Sequence, residues 1–197
     1  MDLIKKLTKA DYISFIGLFF AWISILLIEV NIPKFAIITS LIAFMLDILD
    51  GWTSRKFKTA SLLGRQIDSY VDIFTYLIFS ALLVFKFLSP NLIIGIIVGF
   101  FILLFGGLRL IRFNNEGILS DKGATYYRGV TVVHIYLLVL VLYFINKYSN
   151  LQLSWVSTVM LLVICPSMLS NFKSYKIKNL LYLISIIIFF LLLTIIS

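Results

Sequence analysis

The chain reads as a succession of long apolar runs interrupted by short polar stretches. Seven runs stand out, at about 12–29, 34–54, 63–86, 91–113, 129–146, 152–170 and 179–196, each long enough to cross roughly 30 Å of hydrocarbon. None shows the strict alternation of a half-buried strand, and Gly and Pro are scarce, so the runs are expected to be helices that satisfy their own backbone hydrogen bonds in lipid. The expected fold is all-α: a polytopic membrane bundle of six to seven spans. Before it, Leu3, Ile4 and Leu7 oppose Lys5, Lys6 and Lys9 in the pattern of a short interfacial helix. The start is too charged for a cleaved signal peptide. No linker or repeat divides the chain, and residues 1–197 are expected to form a single domain.

Composition strengthens this picture. Of 197 residues 61% are hydrophobic and 13% charged, against about 25% charged in a soluble domain. The charge that remains is placed asymmetrically. With a cytoplasmic N-terminus, Lys5, Lys6, Lys9, Arg55, Lys56, Lys58, Arg65, Arg109, Arg112, Lys122, Arg128, Lys173, Lys176 and Lys178 share one side, and Lys34, Lys86 and Lys147 the other. That bias orients the chain by the positive-inside rule and accounts for its basic character. No basic stripe with interleaved stacking aromatics suggests nucleic acid. The single Cys165 excludes an internal disulfide and a thiolate metal site. Lone His134 reads as a packed or hydrogen-bonded core residue.

Against this background four aspartates are out of place. Counting 1.5 Å per residue, Asp47 and Asp50 lie about 20 and 24 Å from the outer end of the second span, and Asp72 and Asp68 about 21 and 27 Å from that of the third. The pairs therefore share a depth just beneath the cytoplasmic face. Asp47, Asp50, Gly51 and Ser54 recur at helical spacing, as do Ser61, Gly64, Asp68, Asp72 and Thr75, so two narrow polar stripes are expected to face each other. Each charged carboxylate costs at least about 2.5–3.5 kcal/mol in the membrane interior, about 10 kcal/mol for four. Divalent cations offset that directly, and a carboxylate-only donor set suits Mg²⁺ or Mn²⁺. A pair of such ions points to displacement at phosphorus. The rival reading is a cation transporter, which calls for acidic residues spread across the membrane.

The stretch Asp47-x-x-Asp50-Gly51-x-x-Ser54-Arg55, eight residues, then Gly64-x-x-x-Asp68-x-x-x-Asp72 resembles the signature of the CDP-alcohol phosphotransferases. Seven of its eight fixed positions match, the departure being Ser54 in place of the usual Ala. The resemblance implies a membrane enzyme, commonly homodimeric, that moves a phosphatidyl group from CDP-diacylglycerol to an alcohol and releases CMP. It further implies that Asp47, Asp50, Asp68 and Asp72 surround the metals and that Asp72 takes the acceptor's proton. Gly51, Ser54, Arg55 and Gly64, with Asp47 and Asp68, would bind the nucleotide donor.

A second stretch, Gly107-Leu-Arg109-Leu-Ile-Arg112-Phe113-Asn114 and then Tyr126-Tyr-Arg128-Gly129, resembles the bacterial and archaeal phosphatidylserine synthases within that family, as Ser167-Met-Leu-Ser170 and Tyr175 do more weakly. The residues that usually follow both motifs are replaced by Phe74-Thr-Tyr-Leu and Val130-Thr-Val-Val. Serine is the expected acceptor, with glycerol 3-phosphate, inositol phosphate and choline as alternatives, and a bacterial or archaeal cell membrane the expected location. Arg109, Arg112 and Arg128 are the candidates for an acceptor carboxylate or lipid phosphate; the competing reading of the first two is topogenic charge that snorkels to headgroups. Segment 114–128 is either a cover over the nucleotide or a connection.

Overall fold

The computed structural model describes residues 4–117, 119–121, 124–149, 153–175 and 180–196. Leu3, Lys122, Lys176 and Lys178 lie outside them. Eight α-helices are assigned among the described residues: α1 (Lys9–Glu29), α2 (Pro33–Phe57), α3 (Leu62–Asp72), α4 (Phe79–Leu83), α5 (Leu92–Glu116), α6 (Val132–Tyr148), α7 (Ser154–Ile164) and α8 (Leu180–Ile196). The stretch Leu62–Leu88 is one continuous apolar helix in which π-helical turns at Ile73–Ile78 and Val84–Leu88 flank α4. This stretch and α1, α2 and α5 are long and apolar enough to cross a membrane, and α6, α7 with its 3₁₀ extension, and α8 are shorter apolar helices. The all-α membrane fold expected from the sequence is what forms.

The chain divides into two compact units, Met1–Thr75 with Ile184–Ser197, and Tyr76–Leu183. In the first, α1 packs along α2 and also against α3. The α1 face that permits this is lined by small residues: Ala10, Ser14, Gly17, Ala21 and Ser24 are all buried. At Gly17 an added Cβ would stand 3.5 Å from Leu46 Cβ, so the two helices meet closely at that level. Ahead of α1 a short 3₁₀ helix forms at Ile4–Lys6, separated from α1 by Thr8, the N-cap of α1, whose backbone is extended. Thr8 and Asp11 close a reciprocal capping box. Lys34 Nζ donates to the Ile195 carbonyl at 3.0 Å, tying the start of α2 to the last turn of α8.

The second unit has an aromatic core in which the Tyr136 ring lies 5.4 Å from Tyr76 and 5.7 Å from Phe79. It also contains a feature that the apolar pattern does not announce, a small antiparallel sheet. Strands β1 (Leu119–Asp121), β2 (Ala124–Arg128) and β3 (Lys173–Tyr175) are ordered β1-β2-β3, with Leu119 opposite Tyr126 and Tyr126 opposite Tyr175. The described residues of segment 114–128 are thus the end of α5 and the antiparallel pair β1 and β2. Gly129 follows at φ +71°, where an added Cβ would collide with the Met168 carbonyl, so glycine is required for the chain to turn from β2 toward α6. That turn delays α6 to Val132, three residues past the expected start.

Candidate functional site

The carboxylates of the first unit are positioned by ordinary helix geometry. Asp47 and Asp50 are one turn apart on α2, and Asp68 and Asp72 one turn apart on α3. Helix α2 ends at Lys58, in the left-handed conformation with φ 54°, and α3 restarts at Ser61, whose Oγ accepts from Gly64 N at 2.9 Å. This tight turn returns the chain so that α3 presents Asp68 to α2. One carboxylate oxygen each from Asp47, Asp50 and Asp68 lies within 4.8 Å of the others. Two oxygens on opposite sides of one Mg²⁺ stand about 4.2 Å apart, so small side-chain rotations suffice to close the three around a single ion. Asp50 is 6% exposed, and Asp47 and Asp68 are half-buried. The donor set is oxygen only, the chemistry of a hard divalent cation.

Asp72 stands outside that trio. It is the last residue of α3, half-buried, and the π-helical turn begins at the next residue. A π turn shifts the angular phase of everything beyond it. Thr75, expected to prolong the stripe, is buried with its hydroxyl unpartnered. Arg55 folds back along α2, its Nη1 3.2 Å from where a Cβ on Gly51 would stand, so the guanidinium lies over the glycine. Ser54, the departure from the signature, is half-buried, and its carbonyl accepts from Thr59 N at 3.0 Å. At Gly64 the close neighbours are Asp11 Oδ1 and Ser61 Oγ, both 3.2 Å from the Cβ position.

Sequence reasoning passed over two participants here, both on α1. Ser14 Oγ donates to Asp50 Oδ2, and Asp11, 4% exposed, borders Gly64. A D-x-x-S pair at the start of an apolar run reads only as a helix beginning, so neither residue carries a signal of its own.

The arginines belong to the second unit, and the structure separates them. Arg112 spreads its two terminal nitrogens over four backbone carbonyls: Leu169 at 2.8 Å and Ser170 at 3.3 Å from Nη1, Arg128 and Met168 at 2.8 Å from Nη2. These bonds fasten the turn after α7 to the end of β2. Arg109 is 6% exposed, with its guanidinium 5.3 Å from the Phe113 ring and 5.5 Å from the Tyr127 ring. Arg128 pairs with Glu116 at 3.3 Å. Together with Phe113, Gly117 and Tyr127 these residues line one small open pocket. Arg112→Ala strands four carbonyls and is expected to lower stability by at least about 1.5–3 kcal/mol, the worth of a charge-assisted hydrogen bond, read as a lower thermal midpoint in detergent. His134 is hydrogen-bonded, its Nδ1 2.6 Å from Thr131 Oγ1, but it is exposed and not in the core.

Comparison with known proteins adds an independent line. Residues 7–196 match the family described as CDP-alcohol phosphatidyltransferase. The chain is 29% identical over 158 residues to the archaetidylserine synthase of Methanothermobacter thermautotrophicus, covering 77% of this chain and 66% of that one. It is 30% identical over 176 residues to the CDP-diacylglycerol–serine O-phosphatidyltransferase of Methanocaldococcus jannaschii, covering 89% and 77%. Against the protein of the same description from Helicobacter pylori it is 30% identical over 156 residues, covering 75% and 65%. The chain thus spans slightly under two thirds of the first and third of these relatives.

Proposed function

The chain belongs to the CDP-alcohol phosphatidyltransferase family, and from that premise we propose that it transfers a phosphatidyl-type group from a CDP-linked lipid to L-serine, releasing CMP. The observation that carries this reading is the convergence of Asp47, Asp50 and Asp68, from two helices of a multi-pass membrane protein, on one space. Asp47, Asp50, Asp68 and Asp72 would hold divalent cations, Mg²⁺ or Mn²⁺ and two in number, the first three already sharing one space. When bound, such ions stabilise negative charge on the phosphoryl oxygens. The acceptor hydroxyl oxygen bonds to the lipid-side phosphorus, the bond from that phosphorus to the bridging oxygen breaks, and CMP leaves with the electron pair. Asp72, outside the trio and one turn along α3, takes the proton as general base. Arg55, lying over Gly51, meets the donor's phosphates, with Ser54 and Gly64 on the nucleotide side.

Serine as acceptor draws its support from the relatives, whose descriptions name serine chemistry. Arg109, Arg112 and Arg128 are assigned to the acceptor carboxylate or a lipid phosphate, and Arg109 is the one put to the test; the terminal nitrogens of Arg112 also hold backbone carbonyls. The N-terminus and the carboxylate site face the cytoplasm, as the distribution of Lys and Arg favours. The homodimer implied by the resemblance is part of the same proposal. The test is product identification by mass spectrometry, with purified protein, CDP-diacylglycerol or its ether-lipid counterpart, and serine, glycerol 3-phosphate, inositol phosphate or choline. The serine lipid is the expected product, and in Arg109→Ala a higher KM for serine with little change for the donor. A product formed from another alcohol and not from serine overturns the head-group assignment and leaves the transferase chemistry standing.

A further inference from the structure

Helix α1 lies outside the aspartate signature, yet it touches both helices that carry the signature. Its second turn places Ser14, 5% exposed, against Asp50, 6% exposed, and the serine Oγ donates to Asp50 Oδ2. A serine within a helix commonly bonds back to the carbonyl four residues earlier, and Ser14 has that option in Ala10 at 3.2 Å. It has one proton to give. A carboxylate is the stronger acceptor, so the hydroxyl is committed to a residue 36 positions away. The reach is set by packing: one turn on, a Cβ added at Gly17 would already stand in van der Waals contact with Leu46 and Ala43 of α2. One turn back, Asp11 is locked by its capping box and its Oδ1 borders Gly64 of α3. The first two turns of α1 are therefore held between the two carboxylate-bearing helices.

We propose that Ser14 is a positioning residue for Asp50, fixing the rotation of that carboxylate so that it meets Asp47 and Asp68 around a divalent cation. The proposal rests on the reading of these aspartates as cation ligands. A donor behind a ligand orients it, and loss of such a partner typically weakens metal binding 10–100-fold.

The experiment is Mn²⁺ titration by electron paramagnetic resonance on the full-length protein in lipid nanodiscs, without substrate. Ser14→Ala and Ser14→Cys, the latter keeping the space filled with only a weak donor, are expected to bind Mn²⁺ about 10–100-fold more weakly than wild type. Ser24→Ala is the control for packing: Ser24 is buried on the same face of α1 and its hydroxyl donates to Ala21 O at 2.7 Å, so Mn²⁺ affinity should not change. Wild-type affinity in either folded Ser14 variant overturns the proposal, as does an equal loss in Ser24→Ala; if Ser14→Ala does not fold, Ser14→Cys decides. The cation reading has its own arm. Asp50→Asn should nearly abolish Mn²⁺ binding, and if it binds as wild type does, that reading falls and the role of Ser14 with it.

Discussion

Exhaustive chelation is expected to abolish CMP release, and Mg²⁺ or Mn²⁺ to restore it. The expectation follows from the membrane setting as much as from the chemistry. Three carboxylates with oxygens within 4.8 Å of one another, one of them buried, repel each other in a medium of low polarity. A multivalent cation relieves that repulsion and at the same time supplies positive charge where a displacement at phosphorus develops negative charge. Activity fully retained after chelation, verified by metal analysis of the protein, removes the ions from the mechanism.

If Asp72 is the general base proposed above, Asp72→Asn is expected to reduce turnover by about 10²–10⁴-fold, the usual worth of such a group. Asn keeps the size and the hydrogen-bonding reach of the side chain and removes its ability to accept a proton. The substitution is expected to leave CDP-lipid affinity close to wild type. Asp50→Asn, by contrast, removes a member of the trio and should lose both metal and activity. Steady-state kinetics tests the first variant and metal titration the second. Wild-type turnover in Asp72→Asn would show that another group, or water, takes the proton.

What the sequence could reveal depended on whether the causal contacts were local. Asp47 and Asp50, three apart, and Asp68 and Asp72, four apart, share helix faces by periodicity alone, and counting from the span ends matched their depth. The trio is thereby legible from spacing and depth. Its support is not. The bond from Ser14 to Asp50 crosses 36 positions between two apolar runs, and the small residues of α1 that allow the approach merge into a hydrophobic segment. The close packing expected of the α2 and α3 stripes is provided by that α1 face.

Arg109 and Arg112 show the same limit from the other side. Three apart on one helix, they suggest a common task, but the acceptors of Arg112 are backbone carbonyls at positions 128 and 168–170, which no side-chain pattern records. The sheet was invisible because its strands are three to five residues long and β2 pairs with β3 across more than 40 intervening positions.

If the aspartates of α2 and α3 conduct a CDP-linked group transfer rather than form a path for cations, the most direct measurement is CMP release. It uses the purified protein reconstituted in lipid, with CDP-linked lipid, serine and Mn²⁺, beside a folded Asp50→Asn variant. CMP formed in step with a serine lipid by the wild type, and absent with Asp50→Asn, is the predicted result. No CMP with any acceptor under metal-replete conditions, or equal CMP from both proteins, would contradict it.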